Sequence, residues 1–200
     1  MKRELKRQRT LQLILDTTKA AVEELGCSNV TIRDILDRSG LSRGAVFHYV
    51  KNKEQLLALV LEERLKQINQ QFEQKAQEEP QEFMAAFQAI VSRIDQLLDP
   101  KEVTNQIIIY LLSRAHVAEA RESLNTFYQL SVSLAKYWIE SGQTHGLIPV
   151  SVPLEKTANL FVTLSFGLRM RGMVQNNGSS TDTDAREFID FFLNTLQPAK

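Results

Sequence analysis

Residues 31–53 read TIRDILDRSGLSRGAVFHYVKNK, and this stretch decides the fold. Ile32, Ile35 and Leu36 fall at helical spacing. Thr31 stands before them with Asp34 three positions on, the pattern of a capping box in which the hydroxyl accepts from the Asp34 N–H and the carboxylate reaches back. Val30 and Ile35 occupy the two positions of a hydrophobic staple. Ser39-Gly40 ends this helix, because Gly40 suits the left-handed backbone that a tight turn demands. Leu41-Ser42 opens another helix, with Ser42 as cap and Leu41 paired with Val46. It lasts about two turns, since Asn52, with Gln55 three residues on, caps the next. Two short helices about a glycine turn make a helix-turn-helix.

The second helix of the pair must turn Val46 and Val50 inward, which fixes what it turns outward. Ser42, Arg43, Ala45, His48 and Tyr49 form the outer face, and Gly44 lets the backbone come close to a partner. Arg43 can donate bidentately to guanine O6/N7, Ala45 offers an apolar contact to a thymine methyl, and His48 can reach a base or a phosphate. Ser42, Tyr49 and Lys53 suit phosphate oxygens, as do the backbone N–H groups near Thr31 and Ser42. Arg33 completes the expected DNA-facing set. A short helix with this face is built for the major groove of double-stranded DNA.

Before this segment, Leu11, Ile14, Leu15, Thr18, Ala21, Val22 and Leu25 predict a first helix stopped by Gly26. After it, Leu56, Leu57, Val60, Leu61, Leu65, Ile68 and Phe72 predict a long fourth helix to about Gln77. Pro80 and Pro100 punctuate the body of the chain. Asp99-Pro100-Lys101-Glu102 reads as N-cap, N1 proline and N3 acid, and further helices are expected at roughly 81–98, 101–116, 119–141, 153–176 and 182–197. The fold expected is all-α, with a three-helix helix-turn-helix domain over residues 1–53 and a helical body over 54–200.

The charge distribution agrees with that division. Net charge is zero over 200 residues, yet residues 1–53 hold 11 Lys/Arg against 6 Asp/Glu, a balance of +5, and the remainder 13 against 18, a balance of −5. Part of the excess is the start of the chain, Lys2, Arg3, Lys6, Arg7 and Arg9, which reads as a solvated end. No apolar run approaches the roughly 18–20 residues of a membrane span, so no membrane partner is expected. The basic N-terminus lacks the apolar core of a secretory signal. The single cysteine, Cys27, fits a reducing compartment. The expectation is a cytoplasmic protein, on the nucleoid when bound to DNA.

No catalytic set emerges, and the chain is read as no enzyme. His48, His116 and His145 are scattered. His116 and Glu119 are one turn apart but lack the second pair that a bundle metal site requires, so neither metal nor cofactor is expected. Walker, G-x-S-x-G and Cys-x-x-Cys motifs are absent.

Three blocks in fixed register, TIRDI at 31–35, SGLSRGAVFHYV at 39–50 and NKEQLL at 52–57, resemble the N-terminal signature of the tetracycline-repressor (TetR) family of bacterial transcription regulators. The resemblance is specific over about residues 10–60. It implies a homodimer whose two recognition helices read a palindromic operator, and a body that dimerises and encloses a small-molecule effector. Carried onto this chain, the family's DNA contacts fall on Thr31, Ser42, Arg43, Gly44, Ala45, His48, Tyr49 and Lys53. The family has Tyr where this chain has Phe47, which lacks a hydroxyl for phosphate and is expected to pack instead.

Residues 54–200 then become the effector-binding and dimerisation domain. Phe87, Tyr110, Arg114, Phe127, Tyr128, Trp138, Phe166 and Arg169 supply the apolar walls and polar handles of an expected pocket. Leu160, Leu164, Leu168, Phe188 and Phe192, on the last two helices, are assigned to the dimer bundle that the resemblance implies. The function expected is operator binding, most often repression, released by an effector. A ligand-independent DNA-binding factor, or a helical protein-interaction factor of the same fold, is the alternative.

Overall fold

Local signals in the first quarter of the chain are met almost residue for residue. The computed structural model describes residues 2–76, 95–174, 187, 191 and 194–196. Its helices are α1 (Lys2–Leu25), α2 (Ile32–Ser39), α3 (Arg43–Phe47), α4 (Lys53–Ala76), α5 (Asp95–Leu98), α6 (Val103–Ser113), α7 (Ala118–Thr144) and α8 (Leu154–Val174). The all-α class holds.

At α2 both halves of the capping box form. The Asp34 N–H donates to Thr31 Oγ1 at 3.3 Å, and the Thr31 N–H donates to Asp34 Oδ2 at 2.8 Å. Gly40 ends the helix at φ 66°, ψ 11°, donating to the Leu36 carbonyl. Ser42 Oγ accepts the Ala45 N–H at 3.2 Å to start α3, and Asn52 Oδ1 accepts the Gln55 N–H at 2.9 Å to start α4. With both ends clipped, α3 is five residues long.

Two boundaries differ from the sequence reading. The first helix does not wait for its apolar stripe at Leu11 but runs back to Lys2, through Lys, Arg, Glu, Leu and Gln, which all favour helix. At the other, Glu102 is not the N3 acid of a helix begun at Pro100. Its own carboxylate caps α6, taking the Asn105 N–H at 3.0 Å and the Thr104 hydroxyl at 2.9 Å. The expected helix over 81–98 is described only as α5, and most of that over 182–197 lies outside the described residues.

The chain divides into two compact units, residues 1–64 with 101–127, and residues 65–100 with 128–200. In the first, Ile14, Val22, Ile35, Val46, Leu57, Leu61, Ile107, Ile108 and Leu111 are sealed from solvent. Each such aliphatic side chain is worth roughly 1.5–3 kcal/mol of burial. Polar ties surround this core: Glu24 meets Arg38 at 2.7 Å, and Lys19 meets Glu63 at 3.0 Å. In the second unit, Phe72, Leu98, Val132, Trp138, Ile139, Ile148, Val162 and Leu168 form one cluster. There Gly172 of α8 lies so close to α5 that a Cβ on it would stand 2.2 Å from the Leu98 carbonyl oxygen.

Candidate nucleic-acid interface

Helix α3 positions its side chains by elimination. Val46 and Val50 are buried at 0% and 2% exposure, so the helix cannot rotate about its axis without lifting them from the core. Arg43, Gly44 and His48 are then exposed, and Ala45 and Tyr49 half-buried. The His48 ring stands edge-on to Tyr49, with centroids 5.2 Å apart.

Phe47 does not pack inward as the sequence reading expects. It remains 38% exposed, because the two valines already fill the inward direction, and the Arg43 guanidinium carbon sits 5.2 Å from its ring centroid. A cation over an aromatic face at this distance is attracted by about 0.5–1 kcal/mol at an exposed site. Phe47 thus shelves Arg43, the side chain that the sequence reading expects to meet a guanine.

Other expected contacts are already engaged within the protein. Thr31 is held by Asp34, whose carboxyl lies below its ordinary value chiefly because the Thr31 hydroxyl donates to it. Tyr49 Oη donates to the Arg7 carbonyl at 3.0 Å, tying the end of α3 to the first turns of α1. Arg33 is on α2, its side chain 89% exposed and 3.7 Å from Asp37.

Lys53 is turned inward. Its ammonium donates to the carbonyls of Cys27 at 2.7 Å and Ser28 at 3.3 Å, and sits 4.2 Å from the centroid of Tyr110. Burial pulls its pKa below the usual lysine value. Next to it, Glu54 is nearly buried and accepts from Arg114 Nε at 3.0 Å and Tyr110 Oη at 3.5 Å. Glu54 gives no signal in the sequence, since its partners are more than fifty residues away in the chain.

An open groove of about 790 Å³ runs beside α3, with Gly44, His48 and Tyr49 on one wall and Arg3, Lys6 and Arg7 of α1 on the other. Those basic residues, expected as a solvated end, are exposed along the first turns of α1. Their spacing on one helix face was the signal available for this wall.

Residues 14–60 match the model of the family described as "Bacterial regulatory proteins, tetR family". These residues are similar to the N-terminal domain of the TetR family. Its similarity to YfiR, an uncharacterized HTH-type transcriptional regulator of Bacillus subtilis strain 168, is 22% identity, covering 93% of this chain and 91% of YfiR. Among solved structures, a putative TetR-family regulator from Syntrophomonas wolfei superposes with a TM-score of 0.70 at 19% identity, covering 96% of this chain and 97% of that one. SmeT, the repressor of a Stenotrophomonas maltophilia multidrug efflux pump, was solved with triclosan. That complex gives a TM-score of 0.66 at 19% identity, covering 96% of each chain. These likenesses show the fold of TetR-family structures along nearly the whole chain, and the family model matches residues from α1 to α4.

The expected pocket residues are spread over both units. Tyr110 and Arg114 are engaged by Glu54, and Phe127 is buried in the same unit. In the other, Trp138 Nε1 donates to Asn69 at 3.1 Å, the Tyr128 hydroxyl pairs with Asn159 and Thr163, and Arg169 lies 5.6 Å from the Phe166 ring centroid. Phe87 lies outside the described residues. Of the dimerisation residues, Leu160 is 38% exposed, Leu164 packs against its unit's own core and Leu168 is buried within it. Phe188 and Phe192 lie outside the described residues. Among those described, no group of three or more His, Cys, Asp or Glu could hold a metal, and no helix is long and apolar enough to cross a membrane.

Proposed function

We propose that this chain is a TetR-family regulator that binds a palindromic DNA operator as a homodimer, represses from it, and is released by a small-molecule effector. The observation that carries the DNA part is the face of α3. Its two valines are locked in the core while Arg43, Gly44 and His48 stand exposed beside one another. Arg43 and His48 read bases. Ser42 and the exposed Arg33 hold the backbone, Tyr49, its hydroxyl given to the Arg7 carbonyl, is a brace, and Ala45 contacts a thymine methyl. Lys53 and Thr31 act first as braces, because their polar groups are already spent within the protein. A phosphate contact at Lys53 would require it to leave the Cys27 carbonyl.

Release needs only a difference in affinity. A ligand that binds the operator-incompatible spacing of two heads tenfold better than the compatible one supplies about 1.4 kcal/mol. The triclosan complex of SmeT supports a small-molecule effector. Exposed apolar side chains on α7 and α8, Leu130, Tyr137, Leu160 and Met170, support a second copy as partner.

The test is selection of duplex from a random pool, followed by affinity measurement on the enriched sequence. Two inverted half-sites are expected. Arg43→Ala should relax preference at one position in each half-site at a cost of about 1–3 kcal/mol. Recovery of no common sequence, or an unchanged preference in the variant, would overturn the reading of this face.

A further inference from the structure

Helix α3 is five residues long, so at a rise of about 1.5 Å per residue it follows the groove for only some 7 Å, roughly two base-pair steps. So short a reader needs a grip elsewhere. The first turns of α1 have the form of one. Arg3, Lys6, Arg7 and Thr10 recur at i, i+3, i+4 and i+7, a single face of a helix. That face is turned to α3 across the open groove between them. It is anchored there, because the Tyr49 hydroxyl donates to the Arg7 carbonyl, whose oxygen has a second lone pair beyond its helical bond. Arg3, Lys6 and Arg7 are all exposed, and among the described residues none of them forms an ion pair. Glu4 is the acid in the lining, which leaves the groove cationic.

We propose that the N-terminal turns of α1 are a second DNA-binding element, gripping the sugar–phosphate strand that flanks the bases read by α3. This rests on the DNA-binding reading of the head. The groove is open and continuous with the reading face, since Gly44 and His48 belong to both. An extended polyanion fits such a shape and charge. If the three cations hold two phosphates per head, they account for a salt-slope contribution of about −3.6 in a dimer.

The test compares the full chain with the variant Arg3→Gln/Lys6→Gln/Arg7→Gln, which keeps helix propensity. Both are titrated against the selected duplex over about 0.05–0.2 M salt, and against a duplex trimmed outside the read half-sites. The variant is expected to bind roughly tenfold or more weakly at the low end, with a slope shallower by about 3–4 and unchanged base preference. Trimming should weaken the wild type and leave the variant unmoved. A charge-reversed Lys6→Glu chain should bind more weakly than Lys6→Gln. Equal affinity and slope for variant and wild type would overturn the α1 grip while leaving the head reading intact. Failure of the wild type to bind any duplex would overturn both.

Discussion

Asp34 shows how much one side chain can fix when its partners are close in sequence. It receives the N–H and hydroxyl of Thr31, and both bonds favour its ionised form. A carboxyl whose folded pKa is depressed lends stability above its ordinary value of 3.8 and loses it as pH falls through the lower, folded value. The stability advantage of wild type over Asp34→Asn should therefore be full near neutrality and shrink in that acid window, read by urea unfolding at a series of pH values. A constant gap would show that the carboxylate is not the source. This box was legible because Thr31 and Asp34 are three residues apart. The environment of Lys53 was not, since the Tyr110 ring beneath its ammonium comes from a distant helix. Lys53→Ala should accordingly lower both thermal stability and DNA affinity, where a pure phosphate contact would lower affinity alone.

At the scale of elements, glycine marks where helices turn and where they touch. Gly40 has positive φ, so Gly40→Ala should destabilise the head by about 1 kcal/mol through backbone strain alone, with open space around the new methyl group. Gly172→Ala is a different case. Its backbone is helical, and the cost comes from the Leu98 carbonyl, which a Cβ would meet at 2.2 Å. Forcing α5 and α8 apart should cost at least about 1–3 kcal/mol, measured as a lower unfolding midpoint. An unchanged midpoint would mean α5 yields freely. The sequence announced Gly40, which sits between two caps, but gave no sign of Gly172, whose neighbour comes from elsewhere in the chain. The start of α1 escaped notice for a related reason. Apolar periodicity detects the buried part of a helix, and residues 2–10 are helical without a buried stripe.

For the whole molecule, the sequence placed a boundary at residue 53, whereas the unit that holds the head also takes in residues 54–64 and 101–127. A contiguous cut follows composition and charge along the chain. A compact unit follows contacts, and α6 packs on α1 and brings the buried Ile107, Ile108 and Leu111 into the unit that holds α2 and α3. The helix-turn-helix and its outward face were therefore readable from residues 31–53, while the support beneath them was not. Two outcomes belong at this scale. Light scattering on the purified chain should give the mass of two copies, and monomers at micromolar concentration would oppose the homodimer. Operator affinity should fall with log salt at a slope of about −7 if each head neutralises four phosphates. A flat response would remove DNA from the account.

Cys27 follows the turn at Gly26 and is the chain's single thiol, buried, with its pKa pushed up to about 11 by desolvation against the pull of Lys53. Its N–H donates to the Gln106 side chain, and its carbonyl takes the Lys53 ammonium. Reagents that attack thiolates will find almost none while these bonds stand, so the alkylation rate at Cys27 becomes a clock for their opening. The chain carries its own stopwatch: DNA that steadies the head should slow the reaction, and any compound that loosens this corner should reveal itself by speeding it.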